Sequence, residues 1–188
     1  MVNIKAVDAP SLHIQNNKMG IGAEIRYGHG IIIDPEGIIV TNTHIIGHAQ
    51  HIYVRLYNGK KVEAFVLRSG QGDISLLKIN VTFPLRAVPL TNVATPGVGN
   101  PIVAMTGDAK KTQDGQIVRV FKASLSNDAE LVEINIRSKQ GDSGGAILNP
   151  DGSLLGLIMG RKISDPSKSF CIASPMVLQE YLNYRKSI

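Results

Sequence analysis

Apolar and polar positions alternate over short stretches through most of this chain, and Gly, Asn, Asp and Pro interrupt them at close intervals. In an extended backbone successive side chains point to opposite faces, so such segments read as strands. A first set falls at Gly22 to Tyr27, Gly30 to Asp34, Ile38 to Thr41, Ile52 to Leu56, Glu63 to Arg68 and Ile74 to Ile79. A second falls at Pro101 to Thr106, Gln116 to Ala123, Leu131 to Ile136, Gly145 to Asn149, Leu154 to Met159 and Ser169 to Ala173. Pro35-Glu36-Gly37, Asn58-Gly59 and Asn149-Pro150-Asp151-Gly152 supply turns, and Asn-Gly is a strong hairpin signal. Residues 81–98, with Pro84, Pro89 and Pro96, have a connector's composition and divide the two sets. The tail changes period. Ser174 as N-cap and Pro175 in the first helical position precede Val177, Leu178, Tyr181 and Leu182 on one helical face. The pattern predicts an all-β barrel or sandwich with a C-terminal helix.

Composition narrows this picture. The 188 residues are 43% hydrophobic and 19% charged, which marks a globular chain long enough to bury a core. Trp is absent and aromatics make up only 5%, so Ile, Leu and Val must fill the core. The net charge of +5 comes from scattered Lys and Arg. Pairs such as Lys60-Lys61 and Lys110-Lys111 lack interleaved aromatics, so a solvated basic surface is the expectation, and nucleic acid is not an expected partner. Cys171, the one cysteine, excludes an intrachain disulfide and sits in an apolar strand as a buried thiol. No stretch is long and apolar enough to span a membrane, and the first residues carry no signal-peptide pattern.

Three segments carry chemistry. His44 follows Val40-Thr41-Asn42-Thr43, a strand that breaks into a turn. Asp73 opens the apolar strand Ile74 to Ile79, and Ser143 stands in Gly141-Asp142-Ser143-Gly144-Gly145. A serine hydroxyl needs a base as it attacks, and an imidazole titrates near neutral pH. A buried carboxylate can hold that imidazole in one tautomer. The glycines leave room for a tight loop whose Gly141 and Ser143 N–H groups would form an oxyanion hole. Separately, Gly-Asp-Ser-Gly-Gly is a polar turn, Asp73 a turn cap and His44 a strand-end histidine. In the order His, Asp, Ser they form a constellation for acyl transfer.

That order resembles the chymotrypsin-like serine proteases. Gly28-His29-Gly30-Ile31-Ile32-Ile33-Asp34, Thr41-Asn42-Thr43-His44, Gly72-Asp73-Ile74-Ser75-Leu76-Leu77-Lys78-Ile79, Ser143-Gly144-Gly145-Ala146 and Phe170-Cys171-Ile172 narrow the resemblance to the HtrA/Deg family. It covers roughly Gly28 to the C-terminal helix. Asp142 stands where that family usually has Asn, and 107–116 lack the family's Gly-Asn-Pro-Phe-Gly turn.

The resemblance implies two six-stranded antiparallel β-barrels in one protease domain over 1–188. The first barrel would occupy about 15–85, the second about 99–188 with the helix, and the chemistry would lie between them. It implies a serine endopeptidase acting on unfolded or misfolded protein, with no cofactor or metal, polypeptide substrates and homo-oligomers. It also implies a periplasmic or cell-envelope location, without insertion of this segment in the membrane.

In the trypsin-like alignment Arg137 would stand at the base of the specificity pocket and favour acidic substrate residues. The alternation of Ile134 and Ile136 against Asn135 and Arg137 instead sends Arg137 to solvent, leaving Ile136, Ile158 and Met159 to line an apolar pocket. Arg137 and Lys139 are the nearest cations in sequence to Asp142, and no freed N-terminus is evident to lock the loop, so an inactive resting loop is expected. The rival function is a pseudoprotease, a binding scaffold in which His44, His48 and His51, with His29, gather a metal.

Overall fold

The computed structural model of the protein describes residues 1–15, 18–90, 97–107, 111–123 and 129–188. In chain order the first half forms β1 (Val2–Val7), β2 (Ser11–Gln15), β3 (Lys18–Gly22), β4 (Ile25–Asp34), β5 (Ile38–Asn42), α1 (Thr43–Ile46), β6 (His51–Arg55), β7 (Lys61–Ser69) and β8 (Ile74–Ile79). The second half forms β9 (Pro101–Thr106), β10 (Lys111–Ala123), β11 (Ala129–Ile134), β12 (Ala146–Leu148), β13 (Leu154–Arg161), β14 (Ser169–Ala173) and α2 (Ser174–Arg185).

The strands close into two antiparallel barrels, ordered β1-β4-β5-β8-β7-β6 and β10-β11-β14-β13-β12-β9, and β2 pairs with β3 in a separate hairpin. Two six-stranded barrels with a C-terminal helix are the architecture that the resemblance implied. Closure removes the unpaired edges that an open sheet would expose.

Most of the turns follow from the residues expected to make them. Gly37, Gly59 and Gly152 each have positive φ, and each donates its N–H to a carbonyl three residues back. One expected boundary moves. The first barrel begins at Val2, not near residue 15, because Val2, Ile4 and Ala6 point inward and β1 joins β4 to β6. Within the connector Leu85 is buried and the Val88 N–H donates to Ile32; residues 91–96 of it lie outside the described residues.

Each barrel has its own interior. Ile4, Ile39, Val54 and Leu77 fill the first, and Val132, Ile134, Ile147 and Cys171 the second. Burial pushes the Cys171 thiol far above its ordinary pKa, so it stays a neutral packing group. A third cluster joins them. Ile31, Val40, Ile74 and Leu76 of the first barrel meet Leu157 and Ile172 of the second, with Val177 of α2. Fully burying a side chain of this size contributes roughly 1.5–3 kcal/mol.

The helix differs from its expected face. It starts at Ser174 with Ala173 as N-cap and no side-chain cap bond. Leu182 is 42% exposed, whereas Glu180 is buried. Polar contacts explain the rotation. Glu180 accepts from Arg68 Nε at 2.8 Å, and the Tyr181 hydroxyl donates to Asp34, so α2 reaches back from the second barrel to the first.

Candidate active site

The β5–β8 register sets Asn42 opposite Ile74. One step beyond, where β5 runs into α1 and β8 has not yet begun, Thr43 and His44 meet Asp73. The Asp73 carbonyl accepts the Thr43 N–H at 3.0 Å, and its carboxylate accepts the His44 N–H at 2.9 Å. Asp73 therefore satisfies donors that the first turn of a helix leaves open. Gly72 and Asp73 both have positive φ, a conformation that Asp tolerates better than bulkier residues.

The second carboxylate oxygen of Asp73 lies 2.7 Å from His44 Nδ1. A carboxylate only accepts, so Nδ1 carries the proton and Nε2 is left as the basic nitrogen. His44 is 48% exposed and Asp73 25%, so this carboxylate is less buried than the sequence led us to expect. A clamp that sequence reasoning missed holds α1 from behind. Arg26 of β4 binds Asp8 through both terminal nitrogens and donates to the Ile45 and Ile46 carbonyls at 3.0 Å.

Ser143 sits in the second of two consecutive tight turns. Residues 139–142 are closed by the Asp142 N–H on the Lys139 carbonyl, and 142–145 by the Gly145 N–H on the Asp142 carbonyl. Gly141 (φ 93°) and Gly144 (φ 77°) take the third positions, while Gln140 and Ser143 in the second positions have negative φ. These are type II turns. The Gly141 and Ser143 N–H groups have no acceptor among the described residues, so both are available for an oxyanion.

Asp142 is the reason the turn holds. It is 2% exposed, and its two oxygens accept the N–H groups of Lys139 at 2.9 Å and Gly107 at 3.1 Å. Backbone donors do the work expected of Arg137 or Lys139 side chains. Across the barrel boundary the His29 N–H donates to the Ser143 carbonyl at 2.8 Å, and Thr41 Oγ1 donates to the His29 carbonyl at 2.7 Å. The loop bearing Ser143 is thus tied to β4, which pairs directly with the strand leading to His44.

The join between Ser143 and His44 is looser. The single hydroxyl proton of Ser143 goes to the Met159 carbonyl at 3.2 Å, not to the imidazole. Hydrogen bonds of this kind are often long or misdirected until substrate binds.

Of the residues expected to contact substrate, Arg137 lies three residues past the end of β11 and is exposed between buried Ile136 and Ser138. Ile136 and Ile158 pack inside the second barrel, whereas Met159 is half-buried beside Ser143. The imidazoles of the metal alternative turn to different partners. His44 binds Asp73, whereas His51 binds Glu63 at 3.1 Å and stacks on Tyr53. Among the described residues no three His, Cys, Asp or Glu side chains converge.

Comparison with known proteins matches residues 28–157 to the family described as Trypsin-like peptidase domain. The chain belongs to the trypsin-like peptidase family. Within it the relatives are Deg endoproteases, in line with the resemblance read from the sequence. Serine endoprotease DegS of Salmonella typhimurium is 33% identical over 141 residues, covering 71% of this chain and 40% of DegS. Serine endoprotease DegS of Escherichia coli K12 is 32% identical over the same length and shares. Periplasmic serine endoprotease DegP of Salmonella typhimurium is 31% identical over 137 residues, covering 69% of this chain and 29% of DegP. The chain thus matches less than half the length of these relatives.

Proposed function

We propose that this trypsin-like peptidase domain is a serine endopeptidase in which Ser143 is the nucleophile, His44 the general base and then acid, and Asp73 the orienting carboxylate. The Asp73–His44 hydrogen bond is the observation that carries this reading, because it fixes the tautomer that leaves Nε2 basic. In the first step Ser143 Oγ attacks the scissile carbonyl carbon as His44 Nε2 takes its proton. The N–H groups of Gly141 and Ser143 hold the developing oxyanion, each worth roughly two to three orders of magnitude in rate. His44 then protonates the leaving amine, and water repeats the sequence on the acyl-enzyme.

The reading of the substrate is coarser. We assign Met159 as the residue that meets the substrate side chain, with Ile136 and Ile158 as apolar support and Arg137 in solvent. Cleavage then follows Val, Leu or Ile, and the natural substrates are unfolded or misfolded polypeptides. Relatives named as periplasmic support work in the periplasm or cell envelope. No helix among the described residues is long and apolar enough to cross a membrane.

The Ser143 hydroxyl, turned to Met159, is the observation that favours the pseudoprotease alternative. In the peptidase reading the hydroxyl leaves Met159 for Nε2 when substrate binds. A fluorophosphonate probe and a quenched peptide library, applied to the protein and to Ser143→Ala, decide the matter. The expected outcome is labelling and hydrolysis in the parent and neither in the variant, with cleavage mainly after aliphatic residues. A folded parent that neither labels nor cleaves overturns the peptidase reading. Cleavage after Glu, lost in Arg137→Ala, would overturn the apolar pocket.

A further inference from the structure

One strand, β4, touches both halves of the proposed site. Its His29 N–H holds the Ser143 carbonyl at 2.8 Å, and the neighbouring Gly28 lies against α1, which carries His44. The missing side chain makes that approach possible, because a Cβ on Gly28 would fall 2.5 Å from Ile45 Cδ1. Two residues earlier, and on the same face of the strand, Arg26 reaches the end of α1. Nε donates to the Ile45 carbonyl and Nη2 to the Ile46 carbonyl, both at 3.0 Å. Nη1 and Nη2 each also donate to one oxygen of Asp8, and Nη1 lies 3.4 Å from the Glu24 carboxylate. A guanidinium offers five N–H donors in one rigid fork, and here all five face an acceptor. Gly47 leaves room for the fork, since a Cβ there would fall 2.6 Å from Nη2.

An ion pair with Asp8 alone would use only two of these donors. The bonds to α1 are what point beyond stability. That helix spans only four residues, Thr43–Ile46, too few to hold their own geometry in water. Its Ile45 and Ile46 side chains are buried, but apolar burial is non-directional. Such packing keeps α1 docked without fixing how it is turned. Directional bonds come from two sides. Asp73 accepts the His44 N–H and faces Nδ1, and Arg26 holds the carbonyls of the next two residues. We propose that Arg26 is the positioning residue of His44: by pinning α1 to β4 it keeps Nδ1 on Asp73 and leaves Nε2 as the base for Ser143. The effect on turnover rests on the peptidase reading, whereas the effect on His44 itself does not.

The test compares the full chain with R26A and R26K by peptide hydrolysis, circular dichroism and long-range proton–nitrogen NMR of the His44 ring. Spectra are taken above about pH 8, where an ordinary imidazole is neutral, and the His44 signals are assigned by their loss in His44→Ala. The parent should show the tautomer with its proton on Nδ1. R26A should stay folded on its apolar contacts and shift His44 toward the other tautomer. Misplacing a reacting group by about 1 Å costs up to about 10²-fold, so kcat should fall about tenfold to hundredfold while KM stays within about twofold. Lysine can reach Asp8 or α1 but lacks the fork that binds both, so R26K should lie between parent and R26A in both readouts. A folded R26A with parental kcat and tautomer overturns the proposal, and so does a loss of kcat with the tautomer unchanged. If R26A does not fold, R26K decides by the same two readouts.

Because the tautomer is read without turnover, the two readings fail separately. If the parent neither labels with a fluorophosphonate nor cleaves, a tautomer shift in R26A supports the role of Arg26 and the peptidase reading falls. Cleavage by the parent with no change in R26A does the reverse, and absence of both overturns both.

Discussion

Gly141 and Gly144 occupy equivalent positions in consecutive turns, yet their replacement should fail in different ways. A Cβ on Gly144 would fall 1.9 Å from the His29 carbonyl oxygen, a backbone atom that cannot swing aside. A Cβ on Gly141 would meet nothing within 4 Å. Gly144→Ala should therefore part the Ser143 loop from β4 and yield little folded protein. Gly141→Ala carries only the conformational cost of positive φ, about 1–2 kcal/mol. The turn can escape that cost by flipping the Gln140–Gly141 peptide, which withdraws one oxyanion donor. We expect Gly141→Ala to fold, to melt within several degrees of the parent and to lose about 10²–10³ in kcat. Steady-state kinetics beside thermal unfolding check both, and undiminished turnover in Gly141→Ala would remove Gly141 from the proposed oxyanion hole. His44, Asp73 and Ser143 stood out in the sequence by residue type, by their order along the chain and by the glycines around Ser143. The partners of Asp142 did not, because the Gly107 N–H lies 35 residues away and a backbone donor leaves no mark in residue type.

At the scale of elements, period-2 alternation with turn residues located β8, β9 and β14 at their observed bounds. The same signal was present in Val2, Ile4 and Ala6 and went unread, so β1 was missed. Helix α2 was located but its face was misjudged. Glu180 is buried because Arg68, 112 residues away, and the Gln71 N–H meet it, and no local pattern encodes that contact. Gln71 lies two residues before Asp73, so α2 braces the turn that presents the carboxylate. Glu180→Ala should cost about 1–2 kcal/mol, the Arg68 side of the pair being part-exposed, and lower Tm by roughly 2–8 °C. Because Asp73 loses its brace, kcat should fall more than KM rises. A variant equally destabilised in the second barrel should show no such fall in kcat below its Tm.

Glu133 of β11 gives a second test at this scale. Lys162 holds its carboxyl below the ordinary glutamate range by hydrogen bonding, against the opposing effect of burial, with Arg119 and Lys168 adding attraction. A pKa lowered by folding contributes stability above the unfolded value of about 4.3, and that stability is lost as pH falls through the folded value. The Tm advantage of the parent over Glu133→Gln should be constant near neutrality and shrink below roughly pH 4. An advantage that persists undiminished at pH 3 would show that the charge is not its source.

The two barrels close as separate sheets, yet hydrogen bonds such as His29–Ser143 and a shared apolar cluster join them. The third hydrophobic cluster draws Ile31, Val40 and Leu76 from one barrel and Leu157, Ile172 and Val177 from the second barrel and its helix. The proposed nucleophile and base stand on opposite sides of this boundary, so whatever holds the barrels together also sets the geometry of the chemistry. If the shared cluster and the α2 contacts couple them strongly, neither barrel unfolds while the other persists. We expect one calorimetric transition whose measured enthalpy equals the van't Hoff value. Leu157 is fully buried at the boundary, and Leu157→Ala should cost about 2–5 kcal/mol. The informative readout is where that loss appears. Amide exchange should accelerate by the same factor in β5 and β8 of the first barrel as in β13 and β14 of the second. If acceleration stays within the second barrel, the barrels are independent folding units joined at a soft interface. In that case the alignment of His44 with Ser143 depends on substrate to bring the halves together.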